Sequence, residues 1–471
     1  MQLHRKLIAS AAFAMAAFAS AFAAVSFEVR SNRADQRYFC GEEATFTVAV
    51  NAEDGTPLKS GLLRVSLDAY TQQKTAKDIS VNLADENPFV VKGKLDKPGF
   101  LRLSISEADG GTEIGKYFTS VAYEPEKIVT SVNCPADFNN FWHKAKIDAA
   151  KIPLDAKVEL DAGRSDEKWN VWRVSFTTVG GRRLHGWLTK EKAATGRLPA
   201  RFSIAAAGFG GWSQNPVKTP GHITLFMTVF PCEPWSADAP AAYKRLNEEC
   251  AAKCGVARYP VAGLETGDPK KSFYYPVILG NNRAIEWLLK RDDVDPKRLT
   301  YLGTSQGGGL GLAAVALSHR FKKAVFQVPA MTDMVSGENG RFGSWPLPVE
   351  SFSGEKAKAA AKAALYFDGA FFADQIRIPC FVTCGTSDSA CWAPSVWAAY
   401  NNLSSKNKVM KTGFGMTHSV WPRLCSAAEE WLGEDNVKAP VDKSHKRISD
   451  KSIPVSADPK HWWHRAVKYR R

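Results

Sequence analysis

The chain has 471 residues, 45% of them hydrophobic and 23% charged, with a formal net charge of +14. Length and composition place it in the soluble globular class, with a sizeable core and room for two or three domains. The positive charge does not mark a nucleic-acid protein: residues 436–471 hold ten Lys or Arg against three Asp, a net +7 that is half the total, so the body is only mildly basic.

In chain order, Arg5 and Lys6, an apolar stretch from Leu7 and the pattern Ala21-Phe22-Ala23 read as a secretory signal over 1–23. A periplasmic or secreted protein follows from it. No later run approaches the roughly 18 apolar residues of a spanning helix, so no transmembrane segment is expected. No cysteine stands at the cleavage point either, which removes a lipid anchor. Residues 24–123 alternate with a period of two, as in Val25, Phe27 and Val29, in Phe46, Val48 and Val50, and in Leu101, Leu103 and Ile105. Turns such as Asp54-Gly55, Lys97-Pro98-Gly99 and Asp109-Gly110-Gly111 divide these runs. The pattern predicts an all-β, immunoglobulin-like sandwich. It holds no cluster of titratable groups, and packing against the rest of the chain is preferred over carbohydrate or partner binding as its role.

Over 124–435 strands alternate with helices, the mark of an α/β body with a doubly wound, mostly parallel sheet. A helix over 136–150 puts Phe138, Phe141, Trp142 and Ala145 on one face, and a hairpin turns at Val179-Gly180-Gly181. Strands follow near Phe202, Ile223, Leu299, Ala324 and Phe381. The remainder, 436–471, reads as a basic, solvated tail. Its Trp462 and Trp463, set among Lys460, Arg465 and Lys468, are candidates for touching an anionic surface.

The chemistry-bearing motif is Gly303-Thr304-Ser305-Gln306-Gly307, placed between a predicted strand at 298–302 and an apolar helix from about Gly308; a further helix over 283–290 precedes it. A Gly-x-Ser-x-Gly turn there lifts the serine to the end of the sheet, and its small neighbours let strand and helix approach. A serine is a poor nucleophile until a base takes its proton and a third group orients that base. In this architecture the order is Ser, acid, His. The strand at 378–384 runs into Gly385-Thr386-Ser387-Asp388, and the strand at 408–414 into Gly415-Met416-Thr417-His418. Asp388 is therefore the expected acid and His418 the expected base. Asp368 and Asp374 precede the same strand rather than follow it, on the wrong side for a ligand-binding edge. His319 sits at the far end of the elbow helix, roughly 20 Å from Ser305 at about 1.5 Å per residue.

An oxyanion needs donors as well. The backbone N–H of Gln306 supplies one, and that of Phe209, in the turn Ala207-Gly208-Phe209-Gly210-Gly211, is the candidate for the other. Phe209 and Trp212, with Trp235 and Trp345, lie in loops that could wall an acyl pocket or stack on a sugar ring. Nine cysteines leave at least one unpaired within the chain. Cys380 and Cys384 stand roughly 13 Å apart on one strand, too far to bridge, whereas Cys250 and Cys254 share a helical face and could bridge or merely pack. No second pair at ligand spacing suggests a zinc site, and no cofactor is called for.

The body resembles the acetyl xylan esterase and cephalosporin C deacetylase group, carbohydrate esterase family seven, over roughly 124–432. Gly303-Thr304-Ser305-Gln306-Gly307-Gly308 is similar to its elbow, and Asp388, Cys391, Pro394, Val396 and Ala398-Ala399-Tyr400-Asn401 are similar to its acid loop. Phe138, Phe141-Trp142, Phe273-Tyr274-Tyr275, Arg283-Ala284 and Asp368 support the match. The resemblance implies an α/β-hydrolase fold and removal of acetyl groups from carbohydrates by Ser305, Asp388 and His418, with Gln306 and Phe209 as oxyanion donors. Three motifs depart from the family. Val229-Phe230-Pro231-Cys232 replaces its Arg-Gly-Gln, so its ring-like oligomer is not carried over and the oligomeric state stays open. His418-Ser419 replaces His-Glu, and Ala207-Gly208-Phe209 replaces His-Gly-Tyr. The competing readings are a general carboxylesterase or peptidase on the same fold, and a saccharide-binding protein with a relic triad.

Overall fold

Among the described residues the period-two stretch forms eight strands: β1 (Ser26–Ser31), β2 (Arg37–Tyr38), β3 (Ala44–Asn51), β4 (Leu62–Asp68), β5 (Ile79–Asn82), β6 (Phe89–Gly93), β7 (Gly99–Glu107) and β8 (Lys116–Tyr123). In the computed structural model, residues 25–71, 78–108 and 114–433 are described, without the side chains of Trp212, Glu338 and Asn339. The expected signal at 1–23, the turn Asp109-Gly110-Gly111 and the tail at 436–471 with Trp462 and Trp463 lie outside the described residues. The strands make one sheet in the order β1-β3-β6 and a second in the order β2-β8-β7-β4-β5. Alternation puts Phe46, Val48 and Val50 of β3 in one core with Leu63, Val65 and Leu67 of β4 and Leu101, Leu103 and Ile105 of β7. All pairs are antiparallel except β2 with β8.

The rest builds a nine-stranded sheet from β9 (Lys157–Leu160), β10 (Trp169–Thr177), β11 (Arg183–Glu191), β12 (Leu198–Ile204), β13 (Ile223–Met227), β14 (Val294–Thr304), β15 (Lys323–Gln327), β16 (Cys380–Gly385) and β17 (Lys408–Gly413). Their order is β17-β16-β15-β14-β12-β13-β11-β10-β9. The strands from β17 to β13 run parallel, and β11, β10 and β9 turn antiparallel at one side. Strands covered on both faces read as nearly unbroken apolar runs, as in Val325 and Phe326 of β15 or Phe381 and Val382 of β16, all buried.

The helices are α1 (Phe138–Ala150), α2 (Gly211–Gln214), α3 (Ala239–Cys254), α4 (Tyr274–Leu289), α5 (Gln306–Ser318), α6 (Gly354–Ala364), α7 (Gly369–Ala373), α8 (Ala393–Asn402) and α9 (Pro422–Gly433). In α1 the buried stripe is Phe138, Trp142, Ala145 and Ala149, and Phe141 stays half-buried at its margin. Helix α5 has no polar face because every one of its residues is buried, under the sheet on one side and α4 and α7 on the others.

Several bounds differ from those the sequence suggests. Helix α4 begins at Tyr274 rather than near 283, because Tyr274, Tyr275, Val277 and Ile278 continue its buried face. Strand β14 begins at Val294 rather than 298; the ladder to β12 shifts register between Leu198 and Ala200, opposite the turn-like Asp295-Pro296-Lys297. Cys250 and Cys254 pack instead of bridging, with the Cys254 thiol donating to the Cys250 carbonyl at 3.1 Å, and all nine cysteines are free thiols.

Close approach of strand and helix at the elbow requires glycine at 307, where an added Cβ would overlap the Ile204 carbonyl. Gly307→Ala is expected to cost about 1–3 kcal/mol through overpacking. A lower thermal midpoint of the full chain checks this; an unchanged one would show that α5 can part from β12 freely.

Candidate active site

Ser305 joins β14 to α5 with φ 58° and ψ −123°, a positive-φ conformation rare for a residue with a side chain. Strand β15, the loop that follows it and α5 over-determine it. Its N–H donates to Gln327 O at 2.9 Å, and its carbonyl accepts from Gly309 and Ala330, both at 3.0 Å. The hydroxyl therefore stands at the carboxyl end of the central sheet, above the first turn of α5.

Asp388 follows β16 and is fully buried. Its Oδ1 accepts from the amides of Ala390 at 2.8 Å and Cys391 at 2.9 Å, while Oδ2 takes the Nδ1–H of His418 at 2.9 Å. With Nδ1 holding the proton, Nε2 of neutral His418 is an acceptor, and it lies 2.8 Å from Ser305 Oγ. The three residues singled out from the sequence are thus brought into one hydrogen-bonded series. Burial of the His418 ring by itself lowers its pKa, yet the adjacent Asp388 carboxylate outweighs that effect and leaves it above the ordinary value of 6.5.

The loops that carry the acid and the histidine are stitched to each other. Thr386 N donates to Gly413 O at 3.0 Å, Ser387 N to Met416 O at 3.0 Å, and Gly415 N to Thr386 Oγ1 at 2.8 Å. Gly385 lies so close beneath the second loop that a Cβ there would overlap the Met416 carbonyl.

Gln306 shows a role for its side chain beyond its amide. Its Oε1 accepts from the hydroxyls of Tyr259 and Tyr274, each at 2.7 Å, and its Nε2 donates to Ala205 O at 3.1 Å and Ala206 O at 3.3 Å. The elbow is thereby tied to the start of the turn that carries Phe209. Tyr259 also hydrogen-bonds the Gly208 backbone. Tyr274 is legible only through the family match, and Tyr259 has no local signal in the sequence. The Phe209 ring stacks on Tyr243 and meets Phe230 edge-on, at 5.9 Å in each case. The Trp212 side chain lies outside the described residues. Trp235 packs on Trp187 and His185, and Trp345 packs on the main core while its N–H donates to Ala390 O at 3.0 Å in the acid loop.

The other carboxylates do different work. Asp368 is buried and accepts from the amides of Asp333, Met334 and Ala370; burial, then the Asp333 carboxylate, pushes its carboxyl up to about 7. Asp374 is exposed at the end of α7, and His319 is exposed at the end of α5. Among the described residues, Asp388, Cys391 and His418 place donor atoms within 4.8 Å of one another. Asp388 and His418 are already bonded to each other, and burial, then Asp388, holds the Cys391 thiol protonated.

A mostly parallel sheet flanked by helices, with Ser, Asp and His in the loops that leave β14, β16 and β17, defines an α/β-hydrolase. The acetyl xylan esterase (AXE1) family pattern matches residues 123–424, more than half of the chain. The chain belongs to that family and is a carboxylic ester hydrolase. It is 26% identical over 391 residues, 81% of this chain and 84% of the relative, to acetyl esterase Axe7A of Xylanibacter ruminicola. Solved acetyl xylan esterases from Paenibacillus sp. R4 and Thermoanaerobacterium sp. JW/SL YS485 share the fold, with TM-scores of 0.54 and 0.55 at 20% and 21% identity. Each likeness covers 66% of this chain, and 98% and 96% of the respective structures.

A base that must be neutral to act, with its pKa raised, sets the acid limb of kcat/KM. Its midpoint is expected above 6.5, with activity rising as pH rises through it. Asp388→Asn removes the charge that raises it, so the midpoint should fall and kcat should drop by about 10⁴-fold. A pH–rate profile of both proteins checks this, and an unshifted midpoint would contradict it.

Proposed function

We propose that the chain is an exported serine esterase that removes acetyl groups from carbohydrate, xylan or its oligosaccharides, through an acyl-enzyme on Ser305. The observation that carries this reading is the unbroken series of hydrogen bonds from buried Asp388 through His418 to Ser305, at 2.9 and 2.8 Å. Family membership and the acetyl ester named for the relative support the acyl group. Export rests on the signal read at 1–23, and no helix among the described residues is long and apolar enough to cross a membrane. The division into 24–123 and 124–435 is supported by strand ladders that keep β1–β8 apart from β9–β17.

In the first step Ser305 Oγ attacks the acetyl carbonyl while His418 Nε2 takes its proton. Asp388 holds the ring and stabilises the imidazolium that forms. The N–H of Gln306 at the start of α5 and that of Phe209 bear the oxyanion, each such donor being worth about 100-fold to 1000-fold in rate. Collapse expels the sugar hydroxyl, which leaves with the proton held by His418. Water then attacks the acetyl-serine by the same route, and acetate departs. The raised His418 pKa suits both roles, acceptor in the attack and donor to the leaving alkoxide.

Ser305→Ala should lower acetate release by about 10⁶-fold and leave the thermal midpoint close to that of wild type. Acetate is to be measured from acetylated xylan and from a short synthetic acetyl ester. Release from the synthetic ester alone would move the substrate away from polysaccharide, and equal release by the variant would sink the mechanism.

A further inference from the structure

Resting on the triad reading above, we infer that the outer face of the β2-β8-β7-β4-β5 sheet is part of the active site. Tyr70, Thr119 and Ser120 are positioning residues that hold Thr386, and Thr386 sets Asp388 against His418.

The first sign is a break in periodicity. Strand β8 begins with partial exposure and then buries five consecutive residues, Thr119 to Tyr123. Val121 and Tyr123 enter the core of the sandwich, whereas Ala122 enters the main core of the α/β body, as does Phe100 of β7. The sheet is covered on both faces, and what covers its outer face is the acid loop. Tyr70 Oη lies 3.1 Å from Thr386 O, and Ser120 Oγ lies 3.3 Å from the same oxygen. The two hydroxyls are themselves 3.0 Å apart, so Tyr70 and Ser120 form one hydrogen-bonded cluster on that carbonyl. The hydroxyls of Thr119 and Thr386 meet at 3.1 Å.

Thr386 is the node because its remaining groups are spent on the opposite side. Its N–H goes to Gly413, and its Oγ1 receives the Gly415 amide in the loop of His418. Four residues after Asp388 the grip is repeated through rings: Trp392 meets Tyr70 at 5.4 Å, Phe118 at 5.8 Å and Phe342 at 5.8 Å. Arg102, paired to Asp68 through two nitrogens, sits over the Tyr70, Phe342 and Trp392 rings at 4.7–5.6 Å. Asp388 therefore lies between two anchors, both held by the sandwich.

The sheet needs such support at this side. Strand β17, which delivers His418, is an edge strand and, among the described residues, pairs with β16 alone. An edge has fewer partners to fix it, and a triad tolerates little displacement. The bonds from Ala390 and Cys391 orient the Asp388 carboxylate within its own loop. Placement of that loop relative to β17 is shared between the Ser387 bond to Met416 and Thr386 with the residues behind it.

The test uses the full chain and a soluble acetyl ester, with kcat, KM and thermal midpoint read for Tyr70→Phe, Thr119→Val and the double variant. The folded double variant should lose about 10-fold to 100-fold in kcat, with KM changed by less than about twofold. Thr119→Ser should recover most of the loss seen in Thr119→Val. A folded double variant with unaltered kcat overturns the inference and leaves the sandwich a packing element. If the double variant does not fold, Ser120→Ala is read in the same way: a severalfold loss of kcat at constant KM supports the inference, and no loss overturns it. Ser305→Ala and Asp388→Asn run alongside. Their silence with intact sandwich variants would sink this inference alone, whereas turnover retained in them would sink the triad reading and the inference with it.

Discussion

The hydrogen bond from His418 Nδ1 to Asp388 is the contact on which the remainder of the site depends, because it decides which ring nitrogen carries a proton. With Nδ1 bonded to a carboxylate, Nε2 is left to accept from Ser305. The carboxylate can serve in this way because its other oxygen is already occupied by two amides and the side chain is fully buried. In that medium a fixed charge is felt strongly by its neighbour, which is why the imidazole remains easier to protonate than burial alone would allow.

Positioning of the serine is solved by different means. Backbone strain at Ser305 is held by bonds to Gln327, Gly309 and Ala330, and glycine at 307 lets α5 seat against β12. The side chain of Gln306 then links the elbow to the turn after β12 that carries Phe209. Two tyrosines from distant segments secure that amide on its other side. Polar groups buried in such a network are fully engaged, which fixes geometry more tightly than apolar packing would.

Much of the site was legible in the sequence, for identifiable reasons. Ser305, Asp388 and His418 each follow a strand, and the side-chain period together with glycine-rich turns marks strand ends locally. Asp368 shared the right residue type and was set aside by its place before the strand; burial and three amide donors explain it as structural. The start of α4 was hidden because its first turns are apolar on nearly all sides, without the amphipathic contrast that marks a surface helix. Tyr259 and Tyr70 were not legible at all. Their partners lie 47 and 316 residues away along the chain, and no local pattern encodes such a contact. The loop aromatics Trp235 and Trp345 were candidates for a pocket wall, yet both are engaged in packing.

The most direct measurement is to trap the intermediate. Wild-type protein is mixed with an acetyl ester, quenched in acid within the first turnovers, digested and weighed by mass spectrometry. One added acetyl group on the peptide that contains Ser305, absent from Ser305→Ala, is the predicted result. Turnover without any acetylated peptide, or acetyl found on another residue, would contradict the acyl-enzyme on Ser305.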